Sequence, residues 1–262
     1  MTNHKIKLAF ITPIAHLKYA EDGDILYVLS HMLTDETYVS YVKNSKMYKI
    51  FDNSVHEGLE IDNKQFFQNA IDLNVDEIII QDCMDDYNET LSLKTKQLHS
   101  NYDLVKANNI KVMCVLQGET MGQILNLFAN YQADERIDVI GISFTSIVKH
   151  FSDDKYTNQF LNRLYIVNKI NKHILQNDIK CKPVHLLGSS SWLELLILQR
   201  FDFIRSNDTK LLSRLANQCI DIDDMLIGKP VEKLSLHEKF TSKQELILAQ
   251  NIIKFKGKLS CN

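Results

Sequence analysis

The sequence predicts an α/β fold, a single (β/α)8 TIM-like barrel over residues 1–262 with an irregular unit near its N-terminus. Strand-like and helix-like runs alternate along most of the chain, an order that calls for a parallel sheet with right-handed crossovers. One strand-like run, 77–81, is continuously apolar, as strands buried on both faces are. Four strand-like runs end in polar side chains, at Asp52, at Gln81-Asp82, at Gln117 and between Asp202 and Asp208. In such barrels the C-terminal strand ends carry the site. A 262-residue chain that is 45% hydrophobic can bury one full core. With eight glycines and three prolines, no stretch has the composition of a linker.

Residues 5–12 (KIKLAFIT) read as the first strand, stopped by Pro13. Residues 24–42 give a mixed pattern: Ile25, Val28, Leu29, Met32 and Leu33 fall at helical spacing, and a β-branched and aromatic run follows at 38–42. This is the irregular unit. Residues 47–53 form the next strand. Residues 62–73 form a helix, with Phe66, Phe67, Ala70 and Ile71 on one face and Asp62 or Asn63 as cap. A short apolar strand at 77–81 precedes a long amphipathic helix at 88–108. The strand at 110–116 leads through Gly118 into a helix at 122–131, and the strand at 137–144 into a helix at 156–176. After a strand at 182–187, Gly188-Ser189-Ser190-Ser191 opens a helix at 192–199. A short strand at 201–205 precedes a helix capped by Asp208 or Thr209 and running through 216. The last helix, 242–253, has Thr241 or Ser242 as cap, with Glu245 three residues after Ser242 in a capping-box pattern. Seven strands are counted this way, and the irregular unit supplies the eighth.

Five cysteines, Cys83, Cys114, Cys181, Cys219 and Cys261, form no CxxC pair. Buried thiols in a reduced, cytoplasmic protein are the expectation, not a disulfide scaffold. No HxH or HExxH set follows His56, Glu57 or His185, so neither a metal nor another cofactor is expected, and His185 reads as a core or supporting histidine. No window approaches the roughly 20 apolar residues of a membrane span, and the first twelve residues are too short an apolar run for a signal peptide. A soluble protein with no membrane partner is expected. The net charge of −3 argues against coating nucleic acid non-specifically. Lysines cluster at 43–49 and 254–258, most simply as solvated loop and helix-end residues.

The chemistry-bearing candidates lie at the strand ends. Asp52 and Asp82 follow successive strands, and two carboxylates facing one pocket can divide nucleophile and acid/base roles. Each could equally cap a helix or make a turn. Gln117 offers a donor and an acceptor suited to the edge of a base or lactam, and Gly118 lets the backbone approach a ligand. Gly141 sits inside a strand, where glycine costs entropy unless its space is needed. The Gly188 segment could bind an anion through backbone N–H groups or serve as a plain cap. Arg205 and Asp208 could be a phosphate contact and a carboxylate nucleophile, or a structural ion pair.

In order, these segments resemble those of the tRNA-guanine transglycosylases, enzymes that exchange guanine for a 7-deazaguanine. Asp52-Asn53-Ser54 is similar to their Asp-Ser-Gly-Gly, Asp82 to their second base-recognising aspartate, and Leu116-Gln117-Gly118 to their Val-Gln-Gly. Val139-Ile140-Gly141-Ile142 and His185-Leu186-Leu187-Gly188 resemble the two segments that follow, so the likeness covers residues 47–216. Short transglycosylase-like proteins of bacteriophages, some of whose relatives act on DNA, show a similar series. The resemblance implies base exchange at a glycosidic bond, in DNA or tRNA, by a barrel that dimerises in its relatives. Asp52 would be the acid/base, Asp82 and Gln117 would read the purine edge, and Gly141 would offer backbone contacts.

The chain departs from that family at three places. The CxCxxC zinc motif is absent, so a zinc-stabilised subdomain is not expected. The nucleophile segment, Asp-x-Phe-Asp in the tRNA enzymes, reads Phe201-Asp202-Phe203-Ile204-Arg205-Ser206-Asn207-Asp208; Asp202 matches the first aspartate and Arg205 stands near the second. Asp208 then substitutes as nucleophile, or none remains. Ser54-Val55 replaces Gly-Gly, which would narrow the pocket or change the base bound. Two other readings therefore stand beside base exchange: an altered barrel that binds a free purine or nucleotide, and an N-glycoside hydrolase.

Overall fold

In the computed structural model, which describes residues 5–58, 62–144, 159–189, 191–225 and 231–260, eight parallel strands form a nearly closed barrel with helices outside. The strands are β1 Lys7–Phe10, β2 Ile25–Leu29, β3 Tyr48–Asp52, β4 Glu77–Ile79, β5 Lys111–Leu116, β6 Val139–Ser143, β7 Val184–Leu187 and β8 Ile204–Thr209. Around them lie α1 Glu36–Asn44, α2 Asn63–Asp72, α3 Tyr87–Ala107, α4 Met121–Ala133, α5 Gln159–Asn177, α6 Trp192–Leu198, α7 Leu211–Asn217 and α8 Ser242–Ser260. The ladder runs β1-β8-β7-β6-β5-β4-β3-β2, so the two N-terminal strands meet at the seam. No described helix is long and apolar enough to cross a membrane.

The irregular unit resolves as a strand followed by a helix, the reverse of its local signals. All five residues of β2 are buried, so period-two alternation is missing and the apolar set imitates helical spacing. The β-branched run at 38–42 is helical because Asp35 caps it, accepting from the Tyr38 N–H at 2.9 Å, and because Tyr38 and Val42 turn one face inward. Burial overrides propensity there.

The last strand is also displaced from its expected place. It covers 204–209 and not 201–205, so Arg205 and Asp208 lie within it, and Asp208 caps no helix. Its register skips Arg205 between the Val184–Ile204 and His185–Ser206 pairs, a β-bulge. Arg205 reaches across the barrel to Glu77 on the opposite strand, with nitrogen–oxygen distances of 2.7 and 3.0 Å. Tyr48 donates to the same carboxylate at 2.8 Å. This cluster fills the N-terminal end of the barrel.

One device recurs at that end. Asp24, Asp76 and Asp138 each stand just before an even-numbered strand and accept, through the side chain, the N–H of Leu8, Lys49 and Val112 at 2.9, 2.7 and 2.9 Å. Each returns its own N–H to the same residue's carbonyl. Between β1 and β2, where no ladder forms among the described residues, this exchange is the stitch that closes the ring. Gly23 permits it: a Cβ there would lie 2.7 Å from the Leu8 carbonyl oxygen.

Asp62 caps α2, as the sequence allowed. In α8 the cap is Thr241, one of the two the sequence allowed, and its box partner is Gln244, not Glu245. Glu245 instead meets Lys18 at 2.6 Å and accepts from Tyr19 at 3.0 Å. The helix runs seven residues past the expected end because Leu248, Ile252, Phe255 and Leu259 continue one buried stripe.

Candidate functional site

Strand tips place Asp52, Asp82, Gln117, Gly188 and Asp208 on the C-terminal rim of the barrel. Two hydrogen-bonded groups make up this mouth.

The first is built on two parallel rings. Tyr27 of β2 and His185 of β7 stack with centroids 5.9 Å apart and planes 10° from parallel, filling the barrel below the mouth. Each ring holds a carboxylate. Tyr27 donates its phenol to Asp52 Oδ1 at 2.9 Å, and His185 Nε2 hydrogen-bonds Asp208 Oδ1 at 3.1 Å. Asp52 Oδ2 accepts the Ser54 N–H at 2.9 Å, and Asp208 Oδ1 also accepts the Gly188 N–H at 3.0 Å.

Burial pushes the Asp52 carboxyl up to about 7; the Tyr27 and Ser54 donors pull it down, while the charges of Asp208 and Glu57 push it further up. Asp52 and Asp208, from β3 and β8, therefore share one electrostatic environment. Burial, followed by the charges of Asp52 and Asp208, also holds the Tyr27 phenol well above its ordinary range, so it remains a donor.

The second group is a carboxylate held by amides. Asp82 accepts from Asn53 Nδ2 at 2.9 Å and from Gln117 Nε2. Asn53 Nδ2 also donates to the Ile80 carbonyl at 2.9 Å, and Gln117 Oε1 accepts the Asp85 N–H at 3.3 Å. Burial raises the Asp82 pKa even against these donors. Among the described residues, no lysine or arginine ion-pairs with Asp52, Asp82 or Asp208. None of their His, Cys, Asp and Glu side chains form a group of three or more suited to a metal ion.

No family model and no curated protein matches this sequence.

Four candidates have surroundings other than those expected. Arg205 is committed to Glu77 at the far end of the barrel, so it is the structural ion-pair member and not a phosphate contact, and its partner is not Asp208. Asp202 precedes β8 on the N-terminal face, exposed and away from the mouth. At Gly141 an added Cβ would meet Leu187 at 2.8 Å, Val115 at 3.1 Å and Met113 at 3.3 Å. Core side chains thus take the space that a ligand would have used. Gly188 has a φ of +69°, its N–H is spent on Asp208, and its carbonyl accepts from Arg163 at 2.7 Å and Asn207 at 3.0 Å. It shapes the tip instead of offering a free N–H to an anion.

Ser191 caps α6, accepting the Glu194 N–H at 3.2 Å, which is the plain reading of the serine run; Ser190 lies outside the described residues, and so does the side chain of His56. Gly118 serves the helix that follows, since a Cβ there would lie 3.0 Å from Gln123, whose amide completes the Thr120 capping box.

Tyr27, Ser206 and Asn53 were not singled out from sequence. Tyr27 lies in a wholly buried run and Ser206 in a polar run resembling a loop. Asn53 could have been found, since it directly follows Asp52 at a strand end.

Proposed function

We propose that this chain is a base-exchange glycosyltransferase that replaces guanine in DNA or tRNA by a 7-deazaguanine. The reading is carried by one observation: two carboxylates of unlike surroundings at one mouth, Asp208 buried and Asp52 half-buried. Asp208 is tied through a single oxygen to two donors, which suits a nucleophile. Asp52, held up to about 7, suits an acid that later becomes a base.

In this mechanism an oxygen of Asp208 bonds to C1′ of the nucleotide as the C1′–N9 bond breaks, and the Asp52 proton passes to the departing guanine. The incoming deazaguanine returns a proton to Asp52 as its own nitrogen bonds C1′, and Asp208 leaves as a carboxylate. Asp82 and Gln117 supply the donors and acceptors for the purine edge. The target base must leave its stack to reach them.

A second reading, binding of a free purine without exchange, is favoured by the altered nucleophile segment, in which Arg205 stands near the expected second aspartate and is committed to Glu77.

Incubation of purified protein with labelled guanine and either tRNA or double-stranded DNA tests both. Exchange predicts label in the polymer, lost in Asp52→Ala and Asp208→Ala. Stabilisation by a nucleobase with no label incorporated selects binding. Base released without an incoming base selects an N-glycoside hydrolase. Undiminished incorporation by both variants excludes the mechanism.

A further inference from the structure

The Ser206 hydroxyl lies between two nitrogens, Arg205 Nε at 3.0 Å and His185 Nδ1 at 2.8 Å. A guanidinium nitrogen can only donate, so Ser206 Oγ accepts from it and has one proton of its own to give. Ser206 and His185 are both fully buried, with 0% exposure, and His185 Nδ1 is the acceptor within reach of that hydroxyl. The proton therefore points at Nδ1. The ring's own proton then sits on Nε2 and is donated to Asp208 Oδ1. Arg205 is itself immobilised by the two-point contact with Glu77. A directional hydrogen-bond chain thus runs along the barrel from Glu77 through Arg205, Ser206 and His185 to Asp208.

We infer that Arg205 and Ser206 are positioning residues for Asp208: they set the tautomer of His185, which with the Gly188 N–H clamps Oδ1 and leaves Oδ2 as the reacting oxygen. Asp208 Oδ2 makes no hydrogen bond among the described residues. Stacking against Tyr27 fixes the plane of the imidazole, so the donated proton is aimed as well as assigned. The inference rests on the proposed role of Asp208, but its test reads the histidine directly and needs no substrate.

Asp208 also favours an Nε2 proton, so the two influences must be separated. In the full chain labelled with 15N-histidine, Asp208→Ala removes the carboxylate. Nitrogen chemical shifts should still report His185 as the Nε2–H tautomer, set by Ser206 with its Arg205 donor. In Ser206→Ala/Asp208→Ala both tautomers should appear. Arg205→Lys/Asp208→Ala, which keeps a cation against Glu77 but withdraws the Nε donor, should give the same mixture by a second route. A mixture or the Nδ1–H form in Asp208→Ala overturns the inference, as does a pure Nε2–H form in either double variant.

If the enzyme exchanges guanine, Ser206→Ala should lower kcat by about 10- to 100-fold with KM unchanged, and Ser206→Thr should restore most of it. A Ser206→Ala enzyme of normal kcat overturns the positioning role. A wild type that exchanges no base, with the tautomer results intact, refutes the proposed function instead.

Discussion

The two ends of this barrel solve opposite electrostatic problems. At the N-terminal end Glu77 is fully buried, but Arg205 and Tyr48 answer it completely. At the C-terminal end three carboxylates, Asp52, Asp82 and Asp208, gather with amides, a phenol, an imidazole and backbone N–H groups around them, and with no ion-paired lysine or arginine among the described residues. A neutralised cluster holds a shape. An un-neutralised one raises the free energy of the empty protein, and such sites are where binding and catalysis concentrate.

That contrast can be broken most sharply at Asp208. Asp208→Asn keeps an oxygen for His185 and removes the charge; the proposed base exchange should fall by about 10³-fold or more while the urea midpoint stays level or rises. A lower midpoint with normal exchange would make Asp208 a structural residue like Glu77. At the other end, Glu77→Ala should destabilise by about 2–4 kcal/mol in urea unfolding, because it strands a half-buried guanidinium, 20% exposed, against the barrel interior. A loss below about 1 kcal/mol would show that Arg205 finds water instead.

The Asp52 carboxyl supplies a pH test. Its pKa in the folded chain, about 7, lies above the ordinary carboxylate value, so its contribution to stability is fully present below about pH 4 and is lost as pH rises through 7. Asp52→Asn removes this titration. The stability of the variant relative to wild type should therefore climb by up to about 1.4 kcal/mol per pH unit between roughly pH 4 and 7, then level off. Parallel urea-stability curves across that range would contradict a carboxyl held up by burial.

The smallest effect concerns Ser54, which stands at a φ of +54°. Ser54→Gly relieves left-handed strain but forfeits the hydroxyl that accepts the His31 N–H at 3.3 Å, so the net change should stay within about 1 kcal/mol. A larger loss in thermal melting would give the hydroxyl more than a local role.

How much of this was legible in the sequence depended on contrast along the chain. Asp52, Asp82 and Gln117 are abrupt polar ends to apolar runs, and a strand end is defined locally. β8 was misplaced because Arg205-Ser206-Asn207-Asp208-Thr209 is polar throughout: its side chains answer Glu77, His185 and backbone carbonyls that sequence alone does not bring near. For the same reason Arg205 suggested a ligand contact, when its partner lies 128 residues away. Tyr27 was the reverse case, a polar atom hidden in a run that reads as core, whereas His185, expected as a core or supporting histidine, is fully buried and holds Asp208. The α1 segment was obscured because two buried residues four apart outweigh a β-prone composition.

The stitch at Asp24 has a mechanical meaning. Seven junctions of the ring are ladders that share load over several bonds, whereas the eighth is a clasp of one carboxylate and one amide beside a glycine. A hoop opens at its clasp. Amide exchange at Leu8 and Asp24 should therefore outpace that of the other strands, and every such opening carries Tyr27, and with it the proton partner of Asp52, on the moving edge.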